Sequence, residues 1–174
     1  METAKKHLKY ATDLPISPNV CELLMNLGIM PPQDTTINVW HDPEIGNDDY
    51  EIYKARFYGE SVELDYIESC IGGIDELHTK LIQSDFCLFI PSLQQIRTML
   101  YQIGFNKKSF LEDVLFNIAD SGEYEYRAIC SKRVEGQEKQ QITPSPKFKN
   151  ANEVQAAAEL LVWVLQNVEG ACEI

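Results

Sequence analysis

Basic residues, histidines and long apolar runs are scarce in this 174-residue chain. It has 15 Lys and Arg against 27 Asp and Glu, a formal net charge of −12. An acidic surface repels phosphate backbones and anionic membranes, so we expect neither direct nucleic-acid binding nor membrane association. No apolar run is long enough to cross a bilayer, and none follows the first charges as in a secretory signal. These absences predict a cytoplasmic protein.

Known signatures of catalysis and cofactor binding are missing as well. GxSxG, the P-loop GxxxxGK[ST], HExxH and the EF-hand spacing do not occur. The cysteines form no CxxC pair, which indicates reduced core thiols rather than metal ligands. They are Cys21, Cys70, Cys87, Cys130 and Cys172. We therefore predict no cofactor, no metal site and no enzymatic activity.

The three histidines, His7, His41 and His78, are far apart in the sequence, and only His41 has a suggestive setting. It stands between Trp40 and Asp42, where a carboxylate could hold the imidazole as a base. An enzyme of unrecognised type centred on His41 is therefore one alternative. A histidine at the end of a strand, beside a turn, is the simpler interpretation.

Two stretches of the chain align without a gap and suggest an internal duplication. LPISPNVCELLMNLGI covers Leu14 to Ile29, and IPSLQQIRTMLYQIGF covers Ile90 to Phe105. Each predicts an amphipathic helix that begins after a proline and ends at a glycine, Gly28 or Gly104. Ser17 is the predicted N-cap of the first. The alternative, that any two helices aligned on a terminal glycine look alike, stays open.

The remaining pattern predicts the order of elements in each half. Alternating residues indicate strands at 36–40, 50–58 and 62–67, and apolar spacing indicates a helix at 74–82. In the second half, 109–120 fits either a helix or the first strand of a hairpin that turns at 120–122, and we favour the hairpin. A polar loop at 134–148 with room for a short edge strand precedes an alanine-rich helix capped by Asn150 or Asn152.

These elements predict an α+β protein in which two similar helix–hairpin–(strand)–helix halves pack their helices on one face of antiparallel sheet. The expected divisions are a polar lead-in at 1–13, a first half at 14–86 and a second half at 87–174. Negative charge is uneven between them: residues 1–89 have 6 basic and 16 acidic side chains, whereas 90–174 have 9 and 11.

The order αβββα resembles the double-stranded-RNA-binding domain, and Asn150–Asn152 through Ala156–Ala158 to Leu160–Leu161 looks like its last helix. That family binds RNA largely through a lysine cluster at the start of this helix. Here only Lys147 and Lys149 stand before it. The resemblance implies the fold but not RNA binding. The helix–hairpin–helix plan is also similar to that of small proteins of phages and mobile elements.

We predict a non-enzymatic module that binds another protein, or itself, through tyrosines that alternate along the strands. These are Tyr50, Tyr53, Tyr58, Tyr66, Tyr124 and Tyr126. An alternative is an acidic mimic of nucleic acid that inhibits a nucleic-acid enzyme. Its surface would be formed by Asp42, Glu44, Asp48, Asp49, Glu51, Glu60, Glu63 and Asp65.

Overall fold

The computed structural model describes residues 15–44, 46, 49–69, 72–73, 75–105, 109–132 and 141–172. Within these residues, three α-helices and two antiparallel sheets confirm the α+β class. The polar lead-in expected at 1–13 lies outside them. Contacts divide the chain into two compact units: Ile29–Pro91, and the residues up to Gly28 together with those from Ser92 onward. The helical stretch before Gly28 thus groups with the second half of the chain.

The Ile29–Pro91 unit is a five-stranded antiparallel sheet in the order β4-β3-β2-β1-β5. Its strands are β1 (Thr36–His41), β2 (Glu51–Tyr58), β3 (Ser61–Ser69), β4 (Asp75–Gln83) and β5 (Cys87–Phe89). Alternation places Val39, Ala55 and Phe57 on one buried face, as predicted for the first strands. Val62 and Leu64 of β3 continue the same apolar cluster.

Strand β4 corrects the helix predicted at 74–82. Its nine residues pair along the whole of β3, with Val62 opposite Ile82 and Ile67 opposite Leu77. Leu77 and Leu81, four residues apart, satisfy a helical spacing and a strand alternation equally, so periodicity could not separate the two. The missed signal is Gly72–Gly73, a hairpin dipeptide in which both residues have positive φ, +151° and +94°. The described residues between 15 and 86 therefore hold one α-helix rather than two.

The other unit contains α1 (Pro18–Asn26) and α2 (Leu93–Phe105), which occupy the two aligned stretches. The chain leaves α1 through Gly28 at φ +92°, as predicted. Gly104, however, lies inside α2, which continues to Phe105. Ser17 stands at the N-cap position but makes no capping bond; its Oγ accepts a hydrogen bond from Gln155 Nε2 at 3.3 Å. The two stretches share helix position but not the way the helix ends.

A second antiparallel sheet follows α2 in the same unit. It has the order β6-β7-β8, and β9 also pairs with β7. The remaining elements are β6 (Leu111–Ile118), β7 (Tyr124–Lys132), β8 (Gln141–Pro144), β9 (Phe148–Asn150) and α3 (Glu153–Asn167). The hairpin preferred at 109–120 is confirmed, and Gly122 closes its turn at φ +83°.

Helix α3 carries the centre of this unit's core. Asn152 caps it, with Oδ1 accepting from the Val154 backbone N–H at 3.1 Å. Three consecutive alanines, Ala156–Ala158, are fully buried together with Leu160 and Leu161. No helix in the described part of the chain is long and apolar enough to cross a membrane.

Candidate partner-binding groove

An open groove of about 500 Å³ lies between α2 and the outer strand β6, in the unit that contains α3. We call it the α2–β6 groove. Helix α2 forms one wall, β6 forms the other, and Tyr126 of β7 contributes to the floor. Its principal lining residues are Arg97, Tyr101, Phe105, Val114, Phe116 and Tyr126.

Helical and strand periodicities explain how these side chains converge. Arg97, Tyr101 and Phe105 are four residues apart on α2, so they follow one another along one side of the helix. The Tyr101 and Phe105 rings are stacked with centroids 6.0 Å apart and planes 16° apart. Phe116 stands directly opposite Tyr126 in the β6–β7 ladder, and their rings are 5.1 Å apart. The groove therefore has an aromatic lining from both walls.

Much of this aromatic surface is exposed. Tyr101 is 70% exposed, Phe105 is 76% exposed and Phe116 is 48% exposed. Their neighbours Leu100 and Ile103, which form the inward stripe of α2, are 3% and 0% exposed. Large apolar groups gathered around a concavity are typical of a surface that binds another molecule.

A polar network fixes the floor of the groove. The Tyr126 hydroxyl donates a hydrogen bond to Glu153 Oε1 at 2.7 Å and accepts one from Arg97 Nη2 at 3.0 Å. Arg97 also forms an ion pair with Glu153. Because Arg97 is on α2, Tyr126 on β7 and Glu153 at the start of α3, this network joins three elements. Both helices must then lie on the Tyr126 face of the sheet.

Ionisation in the network favours a structural role for Tyr126. Burial, followed by the hydrogen bond to Glu153, raises the pKa of Tyr126 to about 12. The hydrogen bond to Tyr126, ahead of the charge of Glu153, raises the pKa of Arg97. At neutral pH the phenol is therefore a proton donor, and the guanidinium stays charged. The arrangement holds the groove in shape rather than activating a nucleophile.

The rim of the groove is acidic. A β-bulge near the start of β6 places Glu112 and Asp113 at the edge of the lining. Asp113 Oδ1 accepts a hydrogen bond from the Val114 backbone N–H at 2.8 Å, and Glu112 accepts one from Ser131. Since Arg97 is already paired with Glu153, these two carboxylates determine the local sign of charge.

The six predicted tyrosines are divided between the two units. Tyr124 and Tyr126 lie on the groove side of β7, with Tyr124 stacked on Phe116 at 6.3 Å. The other four belong to the five-stranded sheet or its approach: Tyr50, Tyr53, Tyr58 and Tyr66. Tyr53 and Tyr58 point to opposite faces of β2. Only Tyr126, with Tyr124 beside it, contributes to the groove.

The described acidic residues of the five-stranded unit also fail to form one row. Arg56 stands opposite Glu63 in the β2–β3 ladder, and Lys54 stands opposite Asp65. Glu51 lies on the other face of β2 and accepts a hydrogen bond from Tyr53 at 2.8 Å. At Glu63 and Asp65, the cation opposite each carboxylate interrupts the repeated negative charge that a nucleic-acid mimic needs.

The acidic turn after β1 shows a different local role. Asp42 is buried, and its carboxylate accepts backbone hydrogen bonds from Glu44 at 3.0 Å and Gly46 at 3.2 Å. In such an Asx turn the carboxylate holds the backbone of its own loop in place and does not point to a partner molecule. Glu44, Asp49 and Glu60 are exposed, and Asp48 lies outside the described residues.

His41 is the last residue of β1 and is paired on both sides, with Glu51 of β2 and Cys87 of β5. Its Nδ1 is 3.0 Å from the Phe86 carbonyl oxygen, which can only accept, so Nδ1 carries the proton. The Cys87 sulfur is 3.9 Å from the same nitrogen, but burial raises the pKa of this thiol to about 12. A cysteine nucleophile needs a thiolate near neutral pH. The pair therefore lacks the chemistry of a Cys–His catalytic site.

The remaining histidines and cysteines show no metal geometry within the described part of the chain. There, no three His, Cys, Asp or Glu side chains are arranged to bind a metal ion. His78 lies between Glu68 and Glu76, with Nε2 3.2 and 3.6 Å from their carboxylates. Cys21, Cys87 and Cys130 are buried, Cys172 is exposed, and both Cys70 and His7 lie outside the described residues.

The two lysines before α3 are occupied inside the protein. Lys147 and Lys149 both contact the carboxylate of Glu125, at 2.9 and 3.1 Å. Their hydrogen bonds lower the pKa of Glu125. Lysines that already neutralise a carboxylate have less charge to offer a phosphate backbone.

Sequence reasoning missed most of the groove. The tyrosines and carboxylates predicted to form a surface include none of its residues Arg97, Tyr101, Phe105, Phe116 and Glu153. A signal was present, because Tyr101 and Phe105 fall four residues apart but outside the inward stripe of Ile96, Leu100 and Ile103. Large aromatics off the buried stripe of a helix indicate a second contact surface.

Compared with known proteins, the chain matches no family model, no curated protein and no solved structure. The resemblance to the double-stranded-RNA-binding domain and to phage proteins therefore stays a prediction. The functional argument depends on the geometry of this chain alone.

Proposed function

We propose that this chain is a non-enzymatic interaction module whose α2–β6 groove binds an extended segment of a partner protein. The observation that carries the proposal is the cluster of exposed aromatics around a cavity of about 500 Å³. Leaving Tyr101 and Phe105 more than two-thirds exposed forgoes apolar burial worth about 1.5–3 kcal/mol for each large side chain. A partner that covers them recovers this energy.

The shape of the site favours an extended peptide. Strand β6 is a terminal strand of its sheet among the described strands, so its outer edge offers backbone donors and acceptors beside the aromatic lining. A segment that adds to this edge would place alternate side chains over the groove. Backbone pairing would then supply orientation, and the aromatic pocket would select the side chains.

The acidic rim favours a basic segment. Glu112 and Asp113 border the groove, whereas the guanidinium of Arg97 is paired with Glu153. We therefore expect one or two aromatic or branched aliphatic side chains, flanked by Lys or Arg. Placement in the cytoplasm is part of the proposal and is supported by the burial of three free thiols.

The mimic alternative receives less support from the sheet, because Glu63 and Asp65 face Arg56 and Lys54. The alternative centred on His41 receives less support as well, because the Asp42 carboxylate accepts from the backbone N–H groups of Glu44 and Gly46. Neither has an observation comparable with the exposed aromatic groove. The partner-binding function is therefore the one that we carry forward.

Selection from a displayed library of random dodecapeptides against the purified chain tests the proposal. We expect enriched sequences with an aromatic or aliphatic residue at alternate positions and basic residues beside them. Capture should fail with the Phe105→Ala variant and persist with Ile142→Ala. Ile142 is a matched control because it is 67% exposed in the same unit but lies outside the groove lining. No enrichment, or equal loss in both variants, would contradict the proposal.

A further inference from the structure

Strand β4 gives the five-stranded unit a long terminal strand. It has nine residues, whereas the strand at the opposite end of this sheet, β5, has three. Among the described strands, β4 pairs with β3 along one edge, and its other edge ends the sheet order. A long regular edge is a template for pairing with another chain unless charge, proline or a bulge interrupts it.

One face of this edge is apolar and exposed. Leu77 and Leu81 are each 69% exposed, and Ile67 of β3, directly opposite Leu77, is 66% exposed. The two leucines flank Thr79 symmetrically, two residues away on either side, and so share its face. When a second β4 strand runs antiparallel to the first with the two Thr79 residues opposite each other, each leucine therefore faces a leucine.

We propose that a second copy of this chain pairs with β4, edge to edge and antiparallel, about a two-fold axis at Thr79. Leu77 of each copy then lies opposite Leu81 of the other, and Ile67 extends the apolar row on both sides. The two five-stranded sheets become one continuous sheet. An isologous contact of this kind closes on itself, so it yields a dimer rather than a fibre.

Charge favours this register over its neighbours. On the other face of β4, Glu76 of one copy lies diagonal to Lys80 of the second, within reach of an opposite-charge pair. A pairing centred on Lys80 would place two lysines directly opposite each other. A pairing centred on His78 would set each Leu77 against Thr79 and lose both leucine pairs. Of the axes at His78, Thr79 and Lys80, only the one at Thr79 sets both leucines of each copy opposite leucines of the other, with His78 opposite Lys80.

This inference goes beyond the proposed groove function and does not depend on it, because the groove belongs to the other compact unit. A Leu77→Lys/Leu81→Lys variant should be monomeric and should bind groove peptides as the unmodified chain does. Failure of dimerisation and failure of peptide binding can thus be told apart.

Sedimentation equilibrium and disulfide trapping test the dimer. We expect the full chain to sediment at twice its mass of 19.9 kDa at micromolar concentration. In a Cys70→Ser/Cys172→Ser background, Thr79→Cys should form a disulfide dimer on mild oxidation. Antiparallel partners are about 4.5–5.5 Å apart at Cα, within disulfide reach.

Two further cysteine variants control the register. In His78→Cys, the two substituted residues of the dimer are offset by two positions along the paired strands, which is too far for a disulfide. In Gln83→Cys, the two substituted residues are roughly 27 Å apart along the strands and cannot form a disulfide either. We expect cross-linking at 79 to exceed that at either position at least tenfold. A monomeric chain at 100 μM, or cross-linking at 78 or 83 equal to that at 79, would overturn the inference.

Discussion

Replacing Tyr126 by phenylalanine tests whether the polar network holds the groove together. The change removes a hydroxyl that donates to Glu153 at 2.7 Å and accepts from Arg97 at 3.0 Å, while the ring that packs on Phe116 remains. Hydrogen bonds to charged groups contribute about 1.5–3 kcal/mol each. Because the Arg97–Glu153 ion pair survives the substitution, we expect a loss of about 2 kcal/mol in the free energy of unfolding.

The same variant makes a prediction about pH. The pKa of Tyr126 is raised to about 12 in the folded chain, against about 10 in the unfolded one. Its protonated form therefore stabilises the fold fully below pH 10, and that contribution falls as pH rises through 12. The phenylalanine variant lacks this titration. The difference in the free energy of unfolding between the unmodified chain and Tyr126→Phe should thus be about 1 kcal/mol smaller at pH 11 than at neutral pH.

Urea unfolding followed by tryptophan fluorescence can measure this in the relevant unit. Trp163 lies on α3 and Trp40 on β1, so a Trp40→Phe background leaves Trp163 as the reporter of the groove unit. Tyr124→Phe, on the same face of the same strand, is the matched control and should cost less than about 1 kcal/mol. Equal losses in both variants, or a Tyr126→Phe difference that grows above pH 10, would refute the reasoning.

Two other substitutions and one labelling experiment have expected outcomes. Gly104→Ala should stabilise the chain by up to about 1 kcal/mol in urea unfolding, since Gly104 is helical and its Cβ would meet Leu111 at an ordinary 3.6 Å; destabilisation would contradict this placement. Asn152→Ala should cost about 1 kcal/mol and lower the melting temperature, because the cap on the Val154 N–H is lost. Native Cys87 should resist a thiol reagent until urea unfolds the sheet, because burial raises its pKa to about 12; rapid labelling would argue against the buried thiol.

The sequence was sufficient where one periodicity dominated. Thr36–Trp40 and the alternation of Tyr53, Ala55 and Phe57 fit a strand and no other element, because a helix would scatter these side chains around its axis. The final helix was equally clear, since Ala156–Ala158 favour helix and are small enough to be buried on several sides.

The sequence was insufficient where a helical and a strand periodicity fitted the same residues, or where contacts between residues far apart in the chain decided the structure. In β4, Leu77 and Leu81 fit a helix stripe, and only pairing with β3 decided for the strand. Gly104, like Gly28, was predicted to end its helix, yet α2 continues through Gly104 because this residue has a helical backbone conformation. Local signals cannot reveal such tertiary choices.

The groove illustrates the same limit at the level of function. Its walls come from α2 and β6, and its floor network joins Arg97, Tyr126 and Glu153, which are 27 to 56 positions apart in the chain. No spacing rule links residues at these separations. The exposed pair Tyr101 and Phe105 could have been noticed, but not the strand that faces it.

The most direct test of the central claim is the affinity of one library-selected peptide for three proteins, measured by isothermal titration calorimetry. We expect Phe105→Ala to weaken binding by roughly tenfold or more relative to the unmodified chain, because a large apolar contact is lost. Ile142→Ala should bind with unchanged affinity. Equal affinities for all three proteins would show that the peptide does not occupy the α2–β6 groove and would contradict the account.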